Sequence, residues 1–318
     1  MRKLLQNISD GRKALQSTEA ERSLVALDDE KRGQLQKVLL DIYKDIEMVC
    51  RENGLTAFLC GGSALGAIRH KGFIPWDDDL DVAMTREDYI IFRKVFPGKY
   101  KGKYIINAPN YSKDAKTRFV KILKKGTVCR EIVDSKNPDL QRIAVDIFLI
   151  EKIPANRMHR FIKGSFCNVV EFISSQVILR ESKGTAASFY REIGTAEYLI
   201  RMGIGTLFSF ANSSAWFNVV DKIARYDGKT DLYGFPTGRK HYFGEIFTHE
   251  ILFPPTYVDF CDMKAPIFHD YDAYLRNLYG DYMQVPPPEK RERHYFLEIN
   301  MGAMSKERIS FTGGKNVY

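Results

Sequence analysis

The tightest constraint on the fold lies between residues 56 and 84. An apolar run, Thr56-Ala57-Phe58-Leu59, meets a Gly61-Gly62-Ser63 turn, and the chain then reaches Pro75-Trp76-Asp77-Asp78-Asp79-Leu80-Asp81-Val82. The run reads as a short strand. Glycine after it lets main-chain N–H groups approach an anion closely, and a helix N-terminus adds the favourable end of its dipole. Ser63 is expected to cap a short helix through Ile68. Pro75 stops that helix, and Leu80 to Met84 alternates as a strand does. Side chains on a strand alternate faces, so Asp79 and Asp81 are expected to share one side, with Leu80 and Val82 turned to the core.

Two carboxylates on one face repel unless a cation sits between them. Hard oxygen ligands suit Mg²⁺ or Mn²⁺, ions that keep some waters and bind substrate phosphates. Asp77 and Asp78 either stay in the turn, orient ligands or act in catalysis. A third carboxylate on a neighbouring strand would complete such a site. Asp146 is the candidate, being the single charge in the apolar run Ala144 to Ile150, where a lone carboxylate needs a partner. It either ligates metal or takes a proton from an attacking hydroxyl. Lys121, inside the alternating run Phe119 to Leu123, is the cation expected at a donor phosphate, and Arg69 is a second.

The remaining chain supports this unit. Leu35, Val38, Leu39, Ile42, Ile46 and Val49 recur at helical spacing, and Gly54 follows the predicted helix end. Arg86 to Phe96 reads as a helix closed by Pro97-Gly98, followed by strands over 104–108, 119–123, 128–132 and 144–150. Residues 155–226 read as mostly helical, 227–260 as loops and short strands, and Asp270 to Leu278 as a helix closed by Gly280. The expected organisation is a lead-in segment at 1–27, an α/β catalytic core at 28–152, a helical insertion at 153–226 and a C-terminal α+β portion at 227–318 that packs on the core.

Composition narrows the class. A formal charge of +8 over 318 residues favours anionic partners. No block of like charges marks a nucleic-acid tail, so no nucleic acid is expected. Five scattered cysteines without metal spacing argue against structural zinc and fit a reducing compartment. The N-terminus turns polar too early for a secretory signal, and the most apolar later stretch, 203–220, is too polar to span a bilayer. The expected location is cytoplasmic, with peripheral contact at the inner face of the cell membrane. The aromatic cluster Phe208, Phe210, Trp216 and Phe217 reads either as a buried helix or as a surface resting on that membrane.

The stretch GGSALGAIRHKGFIPWDDDLDVAM resembles the signature of the LicD family, a branch of the nucleotidyltransferase fold that includes the fukutin-type proteins. The Asp146-Ile147-Phe148 strand and the ending Tyr279-Gly280-Asp281-Tyr282-Met283, with Pro286 to Arg291 and His294, are similar to that family as well. The resemblance covers about residues 35–152 and 240–296. It implies a nucleotidyltransferase-like mixed sheet flanked by helices, of α+β class. It also implies a phosphotransferase using a CDP-activated alcohol and a glycan or lipid-linked glycan acceptor. Bacterial relatives move phosphocholine from CDP-choline to teichoic acid, lipopolysaccharide or capsule, and fukutin-type relatives move ribitol phosphate.

In family terms Asp79 and Asp81 are the metal pair and Asp146 the third carboxylate, while Gly61, Gly62 and Ser63 hold donor phosphate. Trp76, Tyr279 and Tyr282 are candidates for an aromatic face against choline, and Glu245 and His294 for substrate contact. Where bacterial relatives often have Pro-Leu-Asp after Asp-Ile-Phe, this chain has Leu149-Ile150-Glu151. A nucleotidyltransferase releasing pyrophosphate and a non-catalytic glycan-binding protein remain as alternatives. Transfer of ribitol or glycerol phosphate is a third.

Overall fold

A computed structural model describes residues 27–131, 137–182, 195–291, 296–302 and 309–310. The first helix, α1 (Asp29–Glu52), begins where Asp28 accepts a hydrogen bond from the Lys31 N–H at 2.8 Å. Asp29 and Glu30 in its first turn and Arg51 in its last complement the helix dipole. The six apolar residues that predicted it are all buried. β1 (Phe58–Leu59) leads into α2 (Gly61–His70), and β2 (Asp81–Thr85) leads into α3 (Arg86–Lys99). Thr85 caps α3 by accepting from the Asp88 N–H. Strands β3 (Tyr104–Asn107), β4 (Val120–Lys124), β5 (Val128–Glu131) and β6 (Ala144–Lys152) follow.

The central sheet runs β1-β2-β6-β4-β3. β2 and β6 are parallel, and the other neighbours in that order are antiparallel. β7 (Leu232–Gly234) pairs with the far end of β6, and β8 (Ile246–Thr248) pairs with β7. β9 (Thr256–Phe260) and β10 (Met263–Ile267) form a hairpin, and β5 joins β11 (Phe296–Asn300) and β12 (Ile309–Ser310) in a third sheet. The helical segment is α4 (Arg157–Glu181), α5 (Thr195–Leu207) and α6 (Ser213–Ala224). α7 (Tyr271–Tyr279) follows the β9–β10 hairpin. The architecture is α+β with a mixed sheet, as expected. None of the described helices is long and apolar enough to cross a membrane.

One large core joins the two ends of the chain. Val82, Ile122 and Ile147 from the sheet share it with Phe235, Phe260, Phe268 and Leu275 from the C-terminal region. Phe58 of β1 stacks on Phe268 at 5.0 Å, and Phe268 meets Tyr274 edge-on at 4.5 Å. Such pairs contribute about 0.5–1.5 kcal/mol beyond their burial. A second, smaller core of Ile153, Cys167, Val170, Val220, Ala224 and Tyr242 lies under the helices.

Three local expectations are corrected. Asp79 is not on β2, which begins at Asp81, so Asp79 and Asp81 do not share a strand face. The reason is pairing: β1 offers only two residues, and the ladder to β6 begins at Asp81 opposite Asp146. Ser63 does not cap α2. Cys60 holds the cap position and Ser63 lies within the first turn, because the chain enters the helix at Gly61 with φ 52°. α3 continues past Phe96 to Lys99, since Pro97 in the last turn costs only one backbone hydrogen bond there. Phe217 is buried, whereas Phe210 is 77% exposed and packs edge-on to Trp216 at 5.5 Å. The lead-in at 1–26 and His294 lie outside the described residues.

Candidate active site

A row of polar residues crosses three strands of an otherwise apolar sheet. Asp81 on β2 is in register with Asp146 on β6, and Asp146 is in register with Lys121 on β4. Residues paired in register lie on one face of a sheet, about 5 Å apart between neighbouring strands. Their sequence neighbours Val82, Val120, Ile122, Val145 and Ile147 are buried on the other face. The period of two therefore sends the apolar side chains into the core and leaves the three charges in line above it. Lys121 Nζ stands 3.5 Å from Asp146 Oδ1, and both side chains are partly exposed.

The glycine turn lies directly on this row. A Cβ on Gly61 would stand 3.4 Å from Asp81 Oδ2, and one on Gly62 would stand 3.0 Å from Asp77 Oδ2. At Gly61 the φ of 52° disfavours any side chain, and at Gly62 a Cβ would crowd the Asp77 carboxylate. Two hydrogen bonds stitch turn to strand: the Asp81 N–H donates to Ser63 Oγ at 2.9 Å, and the Cys60 N–H donates to the Asp81 carbonyl at 3.1 Å. Ser63 is thus buried as a brace for Asp81. The Cys60 thiol is pushed well up by burial, and then by the charges of Asp81, Glu245, Asp146 and Asp79 around it.

Three further acids precede β2. Asp77, Asp78 and Asp79, all half-buried, each present an oxygen within 4.8 Å of the others. Among the described residues Asp79, Asp81 and Asp146 do not form such a group. The Asp77 N–H donates to the Ile74 carbonyl at 2.9 Å, which turns the chain after Pro75 and bunches the three carboxylates. Sequence placed Asp77 and Asp78 in an undecided role, and the fold puts Asp77 against Gly62.

The C-terminal region closes over the turn. The Gly61 N–H donates to Tyr274 Oη at 3.0 Å, so a tyrosine that sequence reasoning did not single out holds the first amide of α2. No spacing along α7 could have revealed it, because the contact spans 213 residues. Tyr279 Oη lies 3.7 Å from the position of a Gly61 Cβ, and the Arg239 guanidinium lies over its ring at 5.5 Å. Glu245 is buried; its Oε1 accepts from the Lys240 N–H at 2.8 Å, and burial pushes its carboxyl above the usual range. Tyr282 is buried and turns to Asp272, donating at 2.8 Å, and burial with that carboxylate pushes its phenol up to about 12.

Arg69 and Trp76 take structural partners. Arg69 donates to the Tyr282 carbonyl at 2.7 Å and to His70 at 3.0 Å, tying α2 to the segment after α7. Arg291 lies over the Trp76 ring at 4.0 Å, with Arg69 at 5.9 Å. The arginine thus occupies a face of the aromatic ring that the sequence offered to a quaternary ammonium.

Residues 54–162 match the family described as LicD/FKTN/FKRP, nucleotidyltransferase domain. This chain carries a LicD family domain. The LicD domain holds the glycine turn, the three neighbouring aspartates, Asp81, Lys121 and Asp146, while Glu245, Tyr274, Tyr279 and Tyr282 come from beyond it. The chain is 28% identical over 275 residues to the lipopolysaccharide cholinephosphotransferase LicD of Haemophilus influenzae, covering 83% of this chain and 95% of that protein. An uncharacterized protein of Rickettsia typhi is 39% identical over 59 residues, 19% of each chain. One from Rickettsia prowazekii is 35% identical over 65 residues, 20% of this chain and 24% of its own.

Proposed function

We propose that the protein is a phosphotransferase that moves phosphocholine from CDP-choline onto a hydroxyl of a cell-surface glycan, such as a lipopolysaccharide, teichoic acid or capsule precursor. The observation that carries this reading is the row Asp81–Asp146–Lys121 lying in register beneath the Gly61-Gly62 turn. The Haemophilus relative, similar along most of both chains, is named as a cholinephosphotransferase.

Asp79, Asp81 and Asp146 are the proposed holders of Mg²⁺ or Mn²⁺; among the described residues only Asp79 of these belongs to the group of converging carboxylates, with Asp77 and Asp78. The donor set is all carboxylate, which suits a small hard cation. Bound there, such an ion would supply neutralisation of the donor diphosphate charge. The remaining work falls to the chain itself. Apart from the Gly61 N–H held by Tyr274, the first turn of α2 is the proposed phosphate contact, through its main-chain N–H groups and the positive end of its dipole. Lys121 pairs with the phosphoryl group in transfer. The acceptor oxygen forms a bond to the choline-bearing phosphorus as the bond to CMP breaks; the acceptor's proton goes to Asp146, or to water where Asp146 ligates the ion instead. Tyr279, beside Gly61, is the proposed aromatic contact of the donor alcohol.

The proposed setting of the reaction is the cytoplasm, at the inner face of the membrane. The test is to incubate the protein and Mg²⁺ or Mn²⁺ separately with CDP-choline, CDP-ribitol, CDP-glycerol and CTP, each with a glycan acceptor. Metal-dependent CMP release with CDP-choline is expected. CMP release only with CDP-ribitol or CDP-glycerol would replace the alcohol, and pyrophosphate release from CTP would replace the reaction. Silence with every donor would sink both and favour glycan binding without catalysis.

A further inference from the structure

α4 is apolar on two opposite faces. Cys167 and Val170 point into the smaller core. On the other side, Met158, Phe161, Ile162, Phe166 and Val169 recur at three- and four-residue steps, and each is at least 55% exposed. A water-facing helix ordinarily has one apolar stripe, and a second contiguous one marks a surface that meets something.

The charges around this stripe select the partner. From Arg157 to Val170 the sequence holds Arg157, Arg160 and Lys163 and not one carboxylate. The next acid, Glu171, is buried and lies 2.7 Å from Arg118 and 3.0 Å from His241. Arg157 is exposed beside the stripe; Lys163 flanks its other edge while donating to the Arg225 carbonyl at 2.8 Å, and Arg160 turns away to the Pro154 carbonyl at 3.3 Å. An acid-free apolar face flanked by cations suits a bilayer surface with anionic headgroups, lying flat in the interface. Pairing with a second copy would bring the same cationic borders together, which is unfavourable.

The stripe is also wired to the candidate site. Gly164 lets the turn at 241–244 press onto α4, since a Cβ there would meet Tyr242 Cδ1 at 2.4 Å. Phe243 of that turn, 44% exposed, extends the stripe beside Phe161 at 6.4 Å. The same segment carries Arg239, over Tyr279, and Lys240, on Glu245.

We propose that the outer face of α4, extended by Phe243, docks the protein on an anionic lipid bilayer and so presents the site to acceptors held at that surface. The docking stands on the α4 surface alone; its use in presenting an acceptor rests on the transferase reading.

The test is flotation of the full-length protein with vesicles of phosphatidylcholine alone and of phosphatidylcholine mixed equally with phosphatidylglycerol, beside the double variant F161E/I162E. The expected result is binding to the anionic vesicles that weakens with salt, and a loss of about tenfold or more in the variant. Circular dichroism and the melting temperature of the variant should match the parent, because both side chains are exposed. No binding by the parent, equal binding by the variant, or a parent dimer that the variant dissolves would overturn the proposal. CMP release from CDP-choline with a soluble acceptor, measured in parallel, separates the two readings. Lost activity in the parent with intact flotation breaks the transferase reading alone, and intact activity without flotation breaks the docking alone.

Discussion

The sheet and the helical layer solve the problem of burying charge in different ways. In the sheet, the charges of Asp81, Asp146 and Lys121 are set out in a line on one face, while Val82, Val120, Ile122, Val145 and Ile147 fill the core on the other. In the helical layer the apolar core is small, and buried or partly buried ion pairs bind the pieces together: Arg118 with Glu171, Lys116 with Glu181, and Arg86 with both Glu151 and Asp221. The first arrangement leaves charge clustered and partly open to solvent, which is costly for stability and useful for chemistry. The second spends its charges on holding α4 and α6 to the sheet, and leaves an apolar face outside.

The largest effect should come from the sheet. Asp81→Asn is expected to lower metal-dependent CMP release by about 10³-fold while leaving the denaturant midpoint unchanged or higher, since it relieves crowding of like charges. Activity within a factor of about two of the parent would remove Asp81 from the chemistry. Next comes the joint between the regions. Arg86→Ala leaves the buried Glu151 without its guanidinium and should cost about 3–5 kcal/mol by urea unfolding. A loss below about 1 kcal/mol would mean that this cluster behaves as a surface pair.

The same small deletion in each region then sharpens the contrast. Ile147→Val in the sheet core should cost about 0.5–1.5 kcal/mol, and Ile162→Val on the outer face of α4 less than about 0.5 kcal/mol. Equal losses would show that the outer face of α4 is covered in solution. The smallest effect is a pH dependence. Burial raises the Glu245 carboxyl above its ordinary range, so the folded state binds that proton more tightly than the unfolded state. Its contribution is therefore favourable at low pH and lost as pH rises from the ordinary carboxylate value through the raised one. Glu245→Gln keeps an acceptor for the Lys240 N–H, and it should melt slightly higher than the parent near pH 7. The two curves should converge near pH 4; a gap that persists there would assign the difference to packing.

Much of this was legible in the chain. Helix α1, the two strands carrying Asp81 and Asp146, and the LicD resemblance all follow from local pattern, because an amphipathic period and a glycine turn need only neighbours in sequence. The lone charges Lys121 and Asp146 each stood out in an apolar run, and alternation fixed which face they take. What alternation could not say is where a strand begins. Asp79 looked like a strand residue by period, but hydrogen-bond partners on β1 and β6 decide the boundary, and they exclude it.

The long-range contacts lay outside any local reading. The sequence by itself determined that a glycine turn and a carboxylate cluster lie within one short stretch. Only the tertiary structure decided that Ser63 braces Asp81, that Tyr274 holds the Gly61 amide, and that Arg291 covers Trp76. It alone also decided that one face of α4 is left uncovered. Each of these depends on which elements pack together across the chain, and packing is set by the shape of the whole core.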